Sequence, residues 1–309
     1  MELINTAISS NGILKSLLYA NIFSCPLTLK EISFYHNQEI TNSTELVYLL
    51  EDLIDKKLVF KFGKYYSVSN DKSIFLLREN ALKLALKKIE VAKIMTKIIS
   101  CFPFVRSVML SGSISKLYMK PTSDIDYFIV VQHDRLWISR TLLKLFRFVF
   151  LFNSSRNFCL NYFISDNKFE IDEKNFFTAN ELITLIPLYG FDHYSSLMFN
   201  NNWISDYFPN FSRKTFKPSS NLNSPFIKRF CESILSFKFI DKVDEFIMNR
   251  MKMYWRNKFP KLSSKDLSHS FKSNKNVSKQ HINNYEKKIL IEFDLKIKEF
   301  EDMNNISIK

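Results

Sequence analysis

Glycine is nearly absent from this chain: four in 309 residues. Backbone positions that need a positive φ or a close approach are therefore few, and each glycine marks one. Paired cysteines are missing too. Cys25, Cys101, Cys159 and Cys231 show no C-x-x-C or other metal-ligand spacing, and each lies in an apolar context. That excludes a zinc knuckle and a disulfide scaffold, and fits reduced thiols in a cytoplasmic protein. The five histidines are scattered, without ligand spacing. Long apolar runs are absent as well. The most apolar stretch, Leu142 to Phe152, carries Lys144 and Arg147 and is too short and too charged to span a bilayer. Met1 to Ser10 has no basic segment followed by an apolar run, so no signal peptide is expected.

What is abundant is positive charge, +13 overall, and it is unevenly placed. Residues 1–70 hold six Lys against seven Asp/Glu, whereas residues 211–309 hold 21 Lys/Arg against 11 Asp/Glu. Any polyanion-binding surface is expected in the C-terminal part.

The first 70 residues read as a winged helix. Asn11 to Phe23 is an apolar helical stretch broken at Pro26. Thr28 and Glu31 form a capping box, and Asn42 with Glu45 a second box-like pair. Leu46, Leu49, Leu50, Leu53 and Ile54 line one face of the helix that follows. Leu58 to Phe62, a turn at Gly63-Lys64, and Tyr65 to Val68 read as a hairpin. The helix that would enter a DNA groove carries Glu45, Glu51, Asp52 and Asp55, which argues against DNA binding and for packing or docking.

A linker near Asn70-Asp71 leads into a long helix, about Ser73 to Ser100, with a broad apolar stripe expected to be largely buried. Val105 to Leu110 and Ile125 to Val131 read as strands, Ile114 to Met119 as a short helix, Arg135 to Phe152 as a helix, and Phe158 to Ile164 as a strand. Helices are expected at Thr178 to Leu188, Phe191 to Phe199, Pro225 to Phe259 and Lys279 to Glu301, with 201–225 a surface crossing. The fold class is α/β (α+β): residues 1–70 a winged-helix-like unit, 71–103 a connecting helix, 104–175 a small mixed-sheet core, and 176–309 a basic helical region.

Gly112-Ser113 follows the first core strand. A glycine there lets backbone approach a ligand, and the free N–H groups and Ser113 hydroxyl form a phosphate cradle. Asp124 and Asp126 stand at i and i+2 where the next strand begins, so alternation puts both carboxylates on one face. Like charges so close call for a cation between them, and Mg²⁺ takes a carboxylate or two plus substrate phosphates. Lys116 is placed to neutralise phosphate charge. Tyr127 and Phe128 are candidates for stacking on a base, and His133 for a place near the site.

Leu110-Ser111-Gly112-Ser113, about ten residues, then Ser123-Asp124-Ile125-Asp126 and a β-branched and aromatic strand resembles the DNA polymerase β-like (minimal-type) nucleotidyltransferase superfamily. Leu18 to Thr28, Asn161-Tyr162-Phe163-Ile164 and Thr178-Ala179-Asn180-Glu181-Leu182 resemble uncharacterised bacterial and archaeal members with an N-terminal winged helix. The resemblance implies transfer of a nucleoside monophosphate from an NTP to a hydroxyl acceptor by a two-metal mechanism. Asp124 and Asp126 would hold Mg²⁺ (or Mn²⁺), and Gly112 and Ser113 the phosphates. The acceptor is open: a small molecule, a protein or RNA. The family's third carboxylate has no plain counterpart. The matching strand offers Asn161, which cannot take a proton near neutral pH. Glu170 and Asp172, on what reads as a short hairpin strand, are the other candidates for a third ligand. The alternative is a catalytically impaired nucleotide-binding protein serving as a regulatory or docking module.

Overall fold

The computed structural model of the chain describes residues 8–211, 226–279 and 285–308. It is a mixed α/β structure with two separate sheets.

The first sheet belongs to the N-terminal unit. Helix α1 (Ser10–Asn21) starts at Ser9, whose hydroxyl accepts from Asn11 N at 3.2 Å. Strand β1 (Leu27–Thr28) runs into α2 (Leu29–Tyr35) through the expected capping box: Glu31 N donates to Thr28 Oγ1 and Thr28 N donates to Glu31 Oε2. Asn42 caps α3 (Ser43–Asp55), but Glu45 accepts from Ile8 N rather than closing a second box. The hairpin β2 (Phe60–Phe62) and β3 (Tyr65–Ser67) forms as expected, and β1 joins it in the order β1-β3-β2. Leu46, Leu50 and Leu53 of α3 turn inward on Ile13, Leu14 and Leu17 of α1.

Helix α4 (Ser73–Ser100) then crosses to the second sheet. Ala85, Ala92 and Ile99 are buried, but Leu86 and Ile94 are exposed, so the helix buries one stripe and not most of its girth. The second sheet has five strands in the order β7-β4-β5-β6-β8: β4 (Val105–Ser111), β5 (Asp126–Val131), β6 (Cys159–Ser165), β7 (Ile186–Tyr189) and β8 (Val277–Lys279). Strand β4 runs antiparallel to β5, and β6 parallel to it through the crossover helix α6 (Leu136–Phe150). The turn after β4 is a single short helix, α5 (Gly112–Ser115). It is shorter than expected because Leu117 takes a left-handed φ of 53°.

Alternation along β5 explains the layering. Tyr127, Ile129 and Val131 face α4, α6 and Met248, whereas Phe128 and Val130 face helices α7 (Phe176–Ile183) and α8 (Phe191–Asn200). Both faces are covered, so neither Tyr127 nor Phe128 is free to stack on a base. Tyr127 is buried, and Phe128 stacks on Tyr162 at 4.6 Å between centroids.

Two strands come from the part expected to be helical. The expected helix 178–188 ends at Ile183, and Ile186–Tyr189 pairs with β4 instead. Pro187 lacks the N–H and the room for a helix interior. Thr184 Oγ1 returns to the carbonyl of Asn180, closing the last turn. Gly190 then takes a left-handed φ of 71°, and a Cβ there would overlap the Arg106 carbonyl. Lys279 belongs to β8, not to a helix. The C-terminal helices are α9 (Phe226–Leu235), α10 (Phe239–Lys258), α11 (Ser264–Ser270) and α12 (Tyr285–Asn304). Part of the expected crossing, 212–225, lies outside the described residues, as does His281. Among the described residues no helix is long and apolar enough to cross a membrane.

Candidate functional site

Three strand ends meet at one place. Register pairs Ser111, last in β4, with Asp126, first in β5, and Asp126 with Cys159, first in β6. The parallel β5–β6 pairing brings two strand starts side by side, and the antiparallel β4 adds its finish. A cavity of about 570 Å³ opens there. Gly112, Ser113, Lys116, Asp124, Asp126 and Asn161 all line it, so six of the eight residues expected to hold phosphate or metal are brought together.

Gly112 is required by its surroundings. Its φ is +68°, and a Cβ would lie 2.6 Å from Asp126 Oδ2. The missing side chain makes room for the carboxylate itself. Asp124 sits just before the strand, where its Oδ2 accepts from Ser155 Oγ at 2.7 Å. Burial pushes the Asp126 carboxyl up to about 6, and the nearby Asp124 and Glu181 add to the shift. The Cys159 thiol, which hydrogen-bonds Asp126, and the Lys116 ammonium oppose it.

Asn161 owes its position to an irregularity. Tyr127 pairs with Leu160 and Phe128 with Tyr162, so Asn161 is the extra residue of a bulge in β6. Bulges re-aim a side chain, and this one lines the cavity. Glu170 and Asp172 are elsewhere. The hairpin strand expected to carry them does not form. Glu170 pairs with Lys174 at 2.7 Å, and Asp172 with Lys168 and Lys272; neither lines the cavity. As third-ligand candidates they are displaced, because local i,i+4 lysines and the distant Lys272 hold them at the surface. His133 stands at the far end of β5, bonded to Asp166 at 3.0 Å. A six-residue strand separates it from Asp126, roughly 20 Å at strand rise.

Two further carboxylates line the cavity: Glu31, which is taken up by Arg78, and Glu181 of α7. Glu181 Oε1 accepts from Lys116 Nζ at 2.7 Å, with both side chains largely shielded from solvent. The helix is set by Asn175, whose side chain accepts from Thr178 N. Nothing in residue spacing links Glu181 to Asp126, 55 positions earlier.

The opposite wall is aromatic. Tyr19, Phe23 and Tyr35 come from the N-terminal unit, Phe176 from α7, Phe208 from the segment after α8, and Tyr285 from α12. Tyr19 meets Phe176 edge-on at 4.9 Å. Burial pushes the Cys25 thiol up to about 12 and the Tyr19 hydroxyl well above its ordinary value, so this wall stays neutral. The N-terminal unit is fastened over the site. Arg78 NH2 reaches Glu31 at 2.6 Å, its NH1 donates to the Leu117 carbonyl at 2.5 Å, and Tyr118 OH donates to the Ser24 carbonyl.

No family model, curated protein or solved structure matches this chain. The chemistry of the cavity therefore stands on its own geometry. It offers adjacent carboxylates, one with its proton affinity raised by burial, an amide, a lysine paired to a further carboxylate, and a tight glycine turn. Among the described residues no group of three or more His, Cys, Asp or Glu is placed to hold a metal ion by itself. A carboxylate pair suits an ion that completes its shell from substrate oxygens and water, which is the habit of Mg²⁺.

Proposed function

We propose that the cavity binds a nucleoside triphosphate with Mg²⁺ (or Mn²⁺), and that the chain is a nucleotidyltransferase of the DNA polymerase β-like type. It would transfer a nucleoside monophosphate to a hydroxyl acceptor. The observation that carries this reading is the left-handed Gly112 packed against the Asp126 carboxylate, with Asp124 beside it, at the mouth of a cavity large enough for a nucleotide. On this reading the N-terminal unit is a winged helix used as a roof, consistent with its acidic α3 and aromatic inner face.

The donor set fits the cation. Asp126 is raised to about 6 by burial and by its carboxylate neighbours, and a divalent ion relieves that penalty. A Mg²⁺ held by Asp124 and Asp126 would neutralise phosphate charge and polarise the α-phosphoryl group. The rest falls to the chain. Ser113 and backbone N–H groups of the turn bind phosphate oxygens. Lys116 turns from Glu181 toward the phosphates. Glu181, so released, accepts the proton of the acceptor hydroxyl as its oxygen bonds to the α-phosphorus and pyrophosphate departs. Asn161 orients its neighbours but holds no proton.

A second reading has its own observation. Strand β6 offers Asn161, not a carboxylate, and Glu181 is engaged by Lys116. A protein so arranged would bind Mg²⁺–NTP and turn it over poorly, serving as a regulatory or docking module. Incubation with each labelled NTP, Mg²⁺ and a cell extract separates the readings. The transferase reading expects label transfer by the native chain and loss of about 100-fold or more in Asp124→Asn/Asp126→Asn. Equal transfer by both proteins overturns it. Binding without transfer favours the second reading.

A further inference from the structure

Helix α9 is inside out. Lys228 and Glu232 face the protein, whereas Phe226, Ile227, Phe230 and Ile234 face away. Lys228 is buried, and its Nζ donates to the Ser100 and Val105 carbonyls at 2.9 and 2.7 Å. Glu232 Oε1 accepts from Phe104 N at 2.6 Å and from Arg106 NH1 at 2.8 Å. Phe226, Ile227, Phe230 and Ile234, at helical spacing on the other side, are at least half exposed. The exposed aromatic run continues through the junction into α10 with Phe237, Phe239 and Phe246.

A solvent-facing helix ordinarily does the reverse, and contiguous apolar patches of this kind mark interaction surfaces. The anchoring bonds show that this orientation is built in. The polar side is held by a buried lysine and by a carboxylate that caps a backbone N–H and pairs with an arginine.

The surrounding charge identifies the partner. Over 226–258, seven exposed Lys/Arg stand against two exposed carboxylates, Asp241 and Glu245. Asp241 is itself paired with Arg135. Apolar side chains flanked by cations match a bilayer whose headgroups are negative, and each cation near such a surface adds to binding. A second copy of the chain fits less well, since the same basic face would meet itself in a molecule of net charge +13.

We propose that the α9–α10 surface docks the protein on an anionic lipid membrane, the α9 aromatics entering the interface and the flanking Lys/Arg contacting headgroups. Docking is independent of what the cavity does.

The test is co-sedimentation of the full chain with phosphatidylcholine vesicles, with and without about one-third phosphatidylserine. The native chain is expected to pellet with the anionic vesicles alone, and less so at high salt. Phe230→Glu/Ile234→Glu, at exposed positions, is expected to bind about 100-fold more weakly. As a check that does not depend on removing the face, the Phe237→Trp variant is expected to show a blue-shifted difference fluorescence with anionic vesicles. Failure to bind anionic vesicles, or an unmoved Trp emission, overturns the proposal. So does concentration-dependent dimerisation, without vesicle binding, that the double variant abolishes; that result assigns the face to a second copy.

Discussion

Replacing Asp126 with Asn should make the protein more stable while disabling it. The carboxyl is raised from its ordinary 3.8 to about 6, chiefly by burial, then by Asp124 and Glu181. A tenfold change in proton affinity is worth about 1.4 kcal/mol, so the ionised side chain costs the fold up to about 3 kcal/mol at neutral pH. The sign follows from linkage. Below pH 3.8 the group is protonated in both folded and unfolded chains and costs nothing. Between about 4 and 6 the folded chain holds the proton that the unfolded chain has lost, so stability falls as pH rises. Above about 6 the full cost applies. Asn has nearly the same shape, keeps an acceptor for the Cys159 thiol and carries no charge. With about 2 cal/mol/K of unfolding entropy per residue, 3 kcal/mol amounts to roughly 5 °C in a chain of this length. Calorimetry of Asp126→Asn against the native chain should therefore show a Tm higher by about 5 °C at pH 7 and no difference at pH 4. A lower Tm at pH 7, or the same difference at both pH values, refutes the reasoning.

Other substitutions test neighbouring parts of the structure. Gly112→Ala forces a Cβ to within 2.6 Å of Asp126 Oδ2 at a left-handed φ; it should cost about 1–3 kcal/mol in denaturant titration and abolish NTP binding by calorimetry. Gly190→Ala, whose Cβ would overlap a backbone carbonyl of β4, should cost more than about 3 kcal/mol, read as a lower denaturation midpoint. Arg78→Ala leaves Glu31 without its buried partner and should cost about 3–5 kcal/mol, with protease cleavage appearing first between the N-terminal unit and α4. Adding Mg²⁺ at pH 7 should raise the Tm of the native chain but not of Asp124→Asn/Asp126→Asn.

Local features are legible in the sequence, and long-range ones are not. The Thr28–Glu31 box, the hairpin around Gly63 and the long α4 are set by neighbours a few residues apart, so spacing and caps reveal them. Gly112-Ser113 and Asp124-x-Asp126 are legible because one short loop carries both. Strand β7 is hidden because Leu182, Leu185 and Leu188 continue a helical period across Pro187. Strand β8 is three residues long, and its partner β6 lies more than a hundred positions away. Glu181 and the aromatic wall reach the cavity only through tertiary packing. The same holds for the reversed α9. Periodicity shows that it is a helix, but its orientation depends on bonds from Lys228 and Glu232 to partners more than 120 residues away.

The most direct test of the cavity assignment is a crystal of the native chain grown with Mn²⁺ and a non-hydrolysable NTP analogue. Anomalous Mn²⁺ density is expected against the Asp124 and Asp126 carboxylates. Phosphates are expected on the Gly112-Ser113 turn, with Lys116 moved from Glu181 toward them. A nucleotide bound elsewhere, or a triphosphate in the cavity with no metal at the two aspartates, contradicts the assignment.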